Sequence, residues 1–236
     1  MKVSIVIPCY NEEENILTLY GEIQKVAEYG LDVEYIFVDN GSADRTYDEL
    51  MKVTNGGKYK LVRVPKNIGY GFGIQMGIYA STGDYVGWIH GDIQIHPKNL
   101  EPMFAYLANY GDGKHFLKGH RTNRSLLDRF FTFGQGVVNS LMFHKKMRDI
   151  AAIPAIYPAE VIRGEITDTM PNDFSIELFA YLEALKANLI PVRFDVVVNK
   201  REKGKSSWNT GLRSKIRQSR RIYRDSIKIK KGLKVT

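Results

Sequence analysis

Residues 1–89 alternate short β-branched runs with amphipathic segments, and this alternation limits the possible folds more than any other feature of the chain. Apolar runs rich in Val and Ile are typical of buried parallel strands, and apolar residues at three- and four-residue spacing are typical of helices. Strands joined through helices need crossovers, so the sequence predicts an α/β fold with a mainly parallel central sheet flanked by helices. The predicted strands cover 3–8, 33–39, 60–64 and 85–89, and the predicted helices cover 12–29, 46–53 and 71–81.

The second half of the chain has a less regular pattern that ends in a helix. The segment 150–158 is apolar but contains Pro154 and Pro158, so it is either a buried loop or a broken strand. A convincing helical period at 174–187 precedes a β-branched run at 190–198. The other predictions are a helix at 99–109, a strand at 115–119, a helix ending near 143 and a basic helix at 212–231.

The stretch Trp88–Pro97 combines the end of the fourth predicted strand with a polar cluster. Pro97 prevents the strand from continuing. The polar residues occupy alternate positions, which share one face if the backbone stays extended. Ligands of open α/β sheets collect at the carboxyl ends of strands, so the stretch predicts a metal or phosphate site; an ordinary strand with a polar loop is the alternative. The polar residues are His90, Asp92, Gln94 and His96.

The net charge of +8 is unevenly distributed. Residues 201–236 contribute +11, which leaves −3 for the rest. A basic tail on an acidic body favours an anionic partner such as acidic lipid, nucleic acid or a phosphorylated substrate; a solvated tail is the alternative. We therefore expect a main domain at 1–211 and a basic helical tail at 212–236, whose narrow apolar stripe comprises Leu212, Ile216, Tyr223 and Ile227.

Composition also restricts the cellular setting. The single cysteine, Cys9, excludes an internal disulfide framework and a Cys-rich zinc site. The N-terminus lacks the pattern of a signal peptide, and no apolar run approaches the ~18 residues of a membrane span. We expect a cytoplasmic protein that is peripheral on the inner face of the membrane, and the sequence is also compatible with a homo-oligomer.

Glycines at 69, 71, 73 and 77 suggest a dinucleotide-binding loop, but their spacing excludes it. A G-x-G-x-x-G motif would need glycine at Ile74 or Met76, and the glycine that a P-loop requires before Gly204 is Asn199. The alternative is that these glycines allow a helix to pack closely on the sheet and the chain to form a tight turn.

Four stretches together resemble the family 2 glycosyltransferases of the GT-A (Rossmann-like) fold. They are 6–12 (VIPCYNE), 38–46 (VDNGSADRT), 67–71 (NIGYG) and the Asp92 stretch. The family's second motif reads V-D-D-G-S-x-D-x-T, and Asn40 replaces one Asp. Three later stretches are similar to the branch that transfers sugars to dolichyl or polyprenyl phosphate: 118–121 (KGHR), 174–177 (FSIE) and 201–206 (REKGKS).

The resemblance implies a hexosyltransferase-like, inverting enzyme that uses a nucleoside diphosphate sugar. Its acceptor would be a lipid-linked phosphate or a cell-surface glycan precursor, and an anionic membrane surface is an expected partner. The position of Asp39 at a strand end suits a contact with the base or ribose, although Asp39 can equally be a turn residue. The implied nucleotide-binding residues are Pro8, Tyr10, Asn11, Glu12, Asp39, Asn40, Gly69 and Gly71.

The implied phosphate and metal sites come from two loops. A basic loop with Arg201, Lys205 and Ser206 could close over the phosphates together with Arg121; a solvated basic turn is the alternative. The family usually has Asp-x-Asp where this chain has His90-Gly91-Asp92. The resemblance implies a divalent metal, Mn²⁺ or Mg²⁺, and an imidazole ligand favours Mn²⁺. Gln94 could add an oxygen ligand.

The implied catalytic residues are Asp92, Asp173 and Glu177. Asp173 and Glu177 are candidate bases, although Asp173 is equally an N-cap residue. A phosphate acceptor would need no strong base, because its oxygen is already ionised. Two other hypotheses remain: a non-catalytic sugar-nucleotide binder, suggested by Asn40 and His90, and a nucleic-acid binder, which is not expected because it has no need of these strand-end residues.

Overall fold

The computed structural model describes residues 1–54, 57–123, 126–164, 170–199 and 212–232. Its strands are β1 (Lys2–Cys9), β2 (Asp32–Asp39), β3 (Tyr59–Arg63), β4 (Tyr85–Trp88), β5 (His115–Arg121), β6 (Ala155–Pro158) and β7 (Ile190–Val196). Its helices are α1 (Ile16–Gln24), α2 (Thr46–Val53), α3 (Tyr70–Ala80), α4 (Glu101–Tyr110), α5 (Leu126–Phe143), α6 (Ala159–Arg163), α7 (Ile176–Lys186) and α8 (Leu212–Lys230), with a 3₁₀ turn at Pro97–Leu100 before α4.

The seven strands form one sheet in the order β3-β2-β1-β4-β6-β5-β7. β1 is an interior strand that pairs in parallel with β2 and β4, and β2 pairs in parallel with β3. This confirms the mainly parallel α/β prediction. Because the strands of this half run in one direction, the carboxyl ends of β1, β2 and β4 share an edge, where the predicted site residues follow.

β6 is an antiparallel strand inserted between β4 and β5. The segment 150–158 is thus a loop followed by a short strand. β7 pairs in parallel with β5 at the far edge of the sheet. Apolar clusters on the two faces of the sheet are built around Trp88 on one side and Phe37 on the other.

Two local predictions near the first helices are wrong. α1 begins at Ile16 and not at Glu12, because Asn11 has a φ of +54° and the Glu12 amide donates to Thr46 Oγ1 at 2.8 Å. The spacing of Thr46 and Glu49 predicts a capping box at the start of α2, but the N-cap is Arg45, with no side-chain capping bond. Thr46 instead connects the loops that follow β1 and β2, since its hydroxyl also donates to Asp44.

The C-terminal part of α8 packs on the body of the protein. Asp225 and Ser226 are buried, and Ser226 donates to Asn139 of α5 at 2.8 Å. Tyr223, which was expected in an apolar stripe, is 52% exposed. In the described ranges, no helix combines the length and the apolarity that crossing a membrane requires.

Candidate active site

The loops after β1 and β2 are bonded to each other at the carboxyl edge of the sheet. Asn11 donates from its amide to the Ser42 hydroxyl at 3.1 Å and accepts from the Ala43 amide at 2.9 Å. Its left-handed backbone turns the chain immediately after Tyr10, which is 47% exposed. The structure therefore brings the predicted nucleotide residues 10–12 beside the loop that begins at Asp39.

Asp39 and Asn40 are buried at the end of β2. Asp39 accepts the Ser42 amide at 3.1 Å, so it does form a turn, and its other oxygen lies 3.6 Å from Nε of Arg63. Asn40 donates from its amide to Cys9 O at 2.8 Å and from Nδ2 to Gly69 O at 3.0 Å. Its Oδ1 is buried with no hydrogen-bond partner in the described part of the chain.

The Asp92 loop is a tight turn, so the backbone does not stay extended through His96, and the condition under which the four polar residues would share one face is not met. β4 ends at Trp88, and Ile93 has a φ of +58°, which is rare for a β-branched residue and typical of strained functional turns. The Gln94 amide donates to Asp92 Oδ1 at 3.2 Å. His96 lies elsewhere, with its Nε2 3.0 Å from Glu22.

Gly91 lets this loop approach β1. A Cβ atom there would lie 2.7 Å from Cys9 Sγ, a distance that side chains do not tolerate. The pKa of the Cys9 thiol is raised well above its usual value, first by burial and then by the charges of Glu12, Asp39 and Asp92. Cys9 pairs with Asp39 across the sheet, and Gly91, the residue before Asp92, lies against Cys9, so the loops with the predicted nucleotide and metal residues meet at one edge.

His90 contacts Tyr70, a residue that the sequence analysis did not select. Nε2 of His90 lies 2.9 Å from the Tyr70 hydroxyl, and the rings meet edge to face with centroids 5.0 Å apart. Tyr70 also stacks on Phe174 at 4.7 Å. Burial raises the pKa of Tyr70 well above its usual value, and the nearby charges of Glu177 and Asp92 raise it further.

Glu177 lies inside the protein, 3% exposed, and not on an open cleft. Its Oε1 accepts from Trp88 Nε1 at 2.6 Å and from the Tyr70 hydroxyl at 3.3 Å, and its Oε2 accepts from Lys118 Nζ at 3.1 Å. Lys118 is fully buried, and its pKa is lowered by burial although the Glu177 charge opposes that effect. The sequence signal for this network was weak, because Lys118 is one of several basic residues of β5 and only the preceding Phe116 and Leu117 are apolar.

Asp173 also has partners. It accepts the Ser175 amide at 2.8 Å, and its other oxygen pairs with Arg221 of α8. The same segment lies against the start of α3, where a Cβ at Gly71 would be 2.4 Å from Pro171 O. Gly71 and Gly69 therefore allow the backbones of 69–72 and 171–173 to approach closely. The expected contact between helix and sheet is at Gly77, where a Cβ would lie 2.2 Å from Cγ1 of Val6 on β1.

The predicted phosphate-binding residues are only partly described. Arg121 is the last residue of β5 and donates to Ala151 O. Its positive charge acts to lower the pKa of both Tyr70 and Lys118. The Asn199 amide donates to Gln94 O at 2.8 Å, so the segment before the basic loop lies beside the Asp92 turn. Arg201, Lys205 and Ser206 lie outside the described residues.

Within the described ranges, no three His, Cys, Asp or Glu side chains converge into a metal cage. Asp92 is half-buried, and its Oδ2 accepts no hydrogen bond from any described residue. One open carboxylate oxygen beside an imidazole fits an ion that takes its other ligands from a diphosphate and water. The residues present therefore suit a nucleotide-borne cation better than a permanent metal centre.

The chain belongs to glycosyl transferase family 2, whose model matches residues 4–153. It is 26% identical over 217 residues to a dolichol-phosphate mannosyltransferase of Pyrococcus furiosus, covering 89% of this chain and 60% of that protein. It is also 26% identical over 210 residues to an undecaprenyl-phosphate 4-deoxy-4-formamido-L-arabinose transferase of Pectobacterium carotovorum, covering 88% of this chain and 62% of that protein. The chain thus spans about three fifths of the length of these relatives.

The fold matches solved GT-A structures across nearly the whole chain. Glucosyl-3-phosphoglycerate synthase of Mycobacterium tuberculosis, solved with Mn²⁺, UDP and glucosyl-3-phosphoglycerate, aligns with a TM-score of 0.70 and 18% identity, covering 98% of this chain and 80% of that one. The same enzyme with Mn²⁺, UDP-glucose and glycerol 3-phosphate gives a TM-score of 0.71 at 18% identity, with the same coverage of both chains. At this identity the likeness establishes the fold alone.

Proposed function

We propose that this chain is a sugar transferase that moves a glycosyl group from a nucleoside diphosphate sugar to a lipid-linked phosphate at a membrane surface. The observation that carries the proposal is the meeting of the Asp39 and Asp92 loops at Cys9, at the edge where an α/β sheet binds ligands. The two curated relatives named above act on polyprenyl-type phosphates, and the solved structures contain UDP and Mn²⁺.

Each loop has a separate task in this proposal. Tyr10 offers an exposed ring, and the Asn11 and Asp39 loops form the floor for the nucleoside. Asp92 and His90, with Gln94 next to them, would hold a divalent cation, and Mn²⁺ accepts an imidazole ligand more readily than Mg²⁺ does. When bound, the cation offsets the negative charge that develops on the leaving diphosphate.

The acceptor class follows from the state of the two candidate bases. Asp173 is paired with Arg221, and Glu177 is bonded by Trp88, Tyr70 and Lys118. Neither carboxylate is placed to take a proton from a neutral hydroxyl without losing these contacts. An acceptor phosphate is already ionised and needs no such base, so the arrangement favours a lipid phosphate over an alcohol.

A thermal-shift screen of UDP, GDP, CDP and dTDP, each with and without Mn²⁺, tests the donor half of the proposal. A ligand that binds only the folded protein stabilises it by mass action, about 2.7 kcal/mol at a hundred times Kd. We expect one nucleotide to raise Tm clearly, more with Mn²⁺ than without, and Asp92→Asn to remove the metal-dependent part. No shift with any of the four nucleotides would contradict the proposal.

An apolar and basic surface on α5 and α8 supports the membrane part of the proposal. The α5 side of this surface exposes the large apolar residues Phe133, Val137, Val138 and Leu141. α8 lies next to α5, since Lys230 Nζ donates to Met142 O at 2.7 Å. Its exposed side adds the ring of Tyr223 and positive charge, and the following turn adds more, at Arg220, Arg224, Lys230 and Lys231.

We propose that this surface docks on anionic lipid. Apolar residues between basic ones match the interfacial region of a bilayer, where each basic residue contributes ~1 kcal/mol near an anionic surface. Truncating α8 is a poor test because Asp225 and Ser226 are buried against the body. Substitution of exposed residues leaves those contacts intact.

Vesicle flotation measures this docking. Binding should need anionic lipid, weaken with salt and fall several-fold in Phe133→Ser/Leu141→Ser. Leu17→Ser, an equally exposed apolar site on α1, is the matched control and should float like the wild type. Equal flotation of all variants, or none of the wild type, would contradict the assignment of this surface.

A further inference from the structure

Helix α8 is bonded to the segment that leads into α7. Arg221 forms an ion pair with Asp173, and four residues further along α8 Asp225 accepts the Ser175 hydroxyl at 3.0 Å. Ser175 and Asp225 are buried, and Nε of Arg221 lies 3.8 Å from Oδ2 of Asp225. Residues four apart share one face of a helix, so two neighbouring contacts on α8 fix the position of 173–175.

The other side of this segment lies against the start of α3. The Phe72 amide donates to Asn172 O at 3.1 Å. The side-chain amide of Gln75 donates to Pro171 O at 2.9 Å. A Cβ at Gly69 would lie 2.2 Å from Asn172 O, so the two backbones touch without a side chain between them. Because protein interiors are close-packed, a shift of this segment must also displace the first turn of α3.

Gly69 connects α3 to the loop after β2. Its carbonyl accepts a hydrogen bond from Nδ2 of Asn40 at 3.0 Å. Asn40 directly follows Asp39, the residue predicted to contact the base or ribose. A continuous series of contacts therefore leads from Arg221 to the floor of the nucleoside site, and none of them involves a residue proposed to bind the cation.

The charge of Arg221 is shared by two carboxylates. Asp173 and Asp225 both contact its guanidinium, so this cation offsets their mutual repulsion. Nε of Arg224 lies 3.6 Å from Oδ1 of Asp225, but the Arg224 side chain is 63% exposed. Loss of Arg221 would leave Asp173 without its cation and near a second, buried negative charge, which favours movement of Asp173 away from α8.

We propose that Arg221 is a positioning residue for the nucleotide-sugar site. Through Asp173 it holds the segment before α7, and with it the start of α3, against the loop that follows β2. This inference rests on the proposed function, because it takes that loop as the place where the nucleotide binds. The helix that carries part of the proposed lipid-docking surface then also shapes the donor site, without any contact between Arg221 and the nucleotide.

Isothermal titration calorimetry in lipid-free solution tests this role. The probe is the nucleoside diphosphate that gives the largest thermal shift, with Mn²⁺, at a temperature where circular dichroism shows each variant to be folded. Arg221→Gln and Asp173→Asn both remove the ion pair, and the asparagine keeps an oxygen for the Ser175 amide. We expect each single variant to bind about tenfold more weakly.

Two further variants separate positioning from a general loss of stability. The double variant Arg221→Gln/Asp173→Asn should bind no more weakly than the weaker of the two single variants, because both changes remove the same interaction. Arg221→Lys keeps the positive charge and should recover part of the lost affinity.

Lys228→Gln is the matched control. It removes the same charge from the same helix, and the Lys228 side chain has no hydrogen bond or ion pair with any residue that the structure describes. It should bind the nucleotide with the affinity of the wild type.

A lower Tm of Arg221→Gln with unchanged affinity would overturn the proposal, because the ion pair would then only anchor α8. Losses that add up in the double variant would also overturn it, since the two residues would act separately. If Arg221→Gln does not fold, Asp173→Asn carries the same expected loss and the same contradiction. Absence of binding by the wild type would contradict the proposed function itself, so the two failures can be told apart.

Discussion

Glu34 and Glu177 are two equally buried glutamates that lie toward opposite ends of the parallel strands and have different surroundings. Glu34 lies toward the amino ends of the parallel strands, where Ser4, Thr82, Lys2 and Lys60 all bind its carboxylate. Glu177 lies toward the carboxyl ends, and one of its donors, Tyr70, also contacts His90. The first cluster is closed on itself, whereas the second continues into the candidate active site.

The difference teaches that burial and a full set of partners do not by themselves indicate function. Glu177 differs from Glu34 because one of its donors, the Tyr70 hydroxyl, also contacts His90 at the carboxyl ends of the strands. We therefore expect changes at the amino edge to alter stability alone, and changes at the carboxyl edge to alter activity with or without stability.

Asp92→Asn should have the largest effect of all on activity. Loss of the open carboxylate oxygen removes the anchor for a cation and its charge stabilisation of the diphosphate, so transfer should fall by about a thousandfold or more. Because Asp92 is half-buried and, among the described residues, accepts a hydrogen bond only from the Gln94 amide, the Tm should change little. Normal turnover by the folded variant would remove Asp92 from the site.

Lys118→Met should have the largest effect on stability. It leaves the Glu177 carboxylate buried without its cation, which costs about 3–5 kcal/mol. Lys25→Met is the control, because Lys25 forms an exposed pair with Glu22 and should change stability by less than about 1 kcal/mol. Denaturant unfolding measures both, and equal losses would mean that the buried pair is no more important than a surface pair.

Glu34→Gln tests the closed cluster through its pH dependence. The donors around the carboxylate outweigh its burial and lower the pKa of Glu34 from 4.5 to about 2. Since the folded pKa is the lower one, this stabilisation is present above pH 4.5 and is lost as the pH falls toward 2. The variant should be less stable by up to about 3 kcal/mol at pH 7, and the difference should shrink in acid. A pH-independent difference, or reduced activity per folded molecule, would contradict the comparison.

Asn40→Asp should have the smallest effect, and it restores the residue that the family motif usually has. A carboxylate cannot donate to Gly69 O, and it would add a buried charge next to Asp39. We expect the free energy of unfolding to fall by about 1–3 kcal/mol. Unchanged or higher stability would show that the buried amide is not selected by its surroundings.

The sequence predicted the parallel half well because its signals are local. The runs around Val6, Phe37 and Val86 are β-branched and apolar, and helical segments separate them, so a mainly parallel sheet with a shared carboxyl edge could be inferred, although its strand order could not. Family motifs then placed Asp39 and Asp92 at that edge. The structure brings both into the surroundings of Cys9.

The remainder depended on contacts between residues far apart in the chain. Tyr70 donates to Glu177, more than a hundred residues away in the chain, and no spacing rule connects the two residues. β6 is only four residues long and antiparallel, so its pattern could not be distinguished from a loop. The left-handed turn at Ile93 broke the expected alternation of polar residues, because a β-branched residue gives no warning of a positive φ.

The most direct test of the account is sugar transfer to two acceptors that differ only in a phosphate. The nucleotide selected by thermal shift is supplied as its labelled sugar, with Mn²⁺ and vesicles of anionic lipid that contain either polyprenyl phosphate or the corresponding polyprenol. We predict labelled lipid with the phosphate, at least a hundredfold less with the alcohol, and none with Asp92→Asn. Equal transfer to the alcohol, or no transfer to either acceptor from any nucleotide sugar, would contradict the central claim.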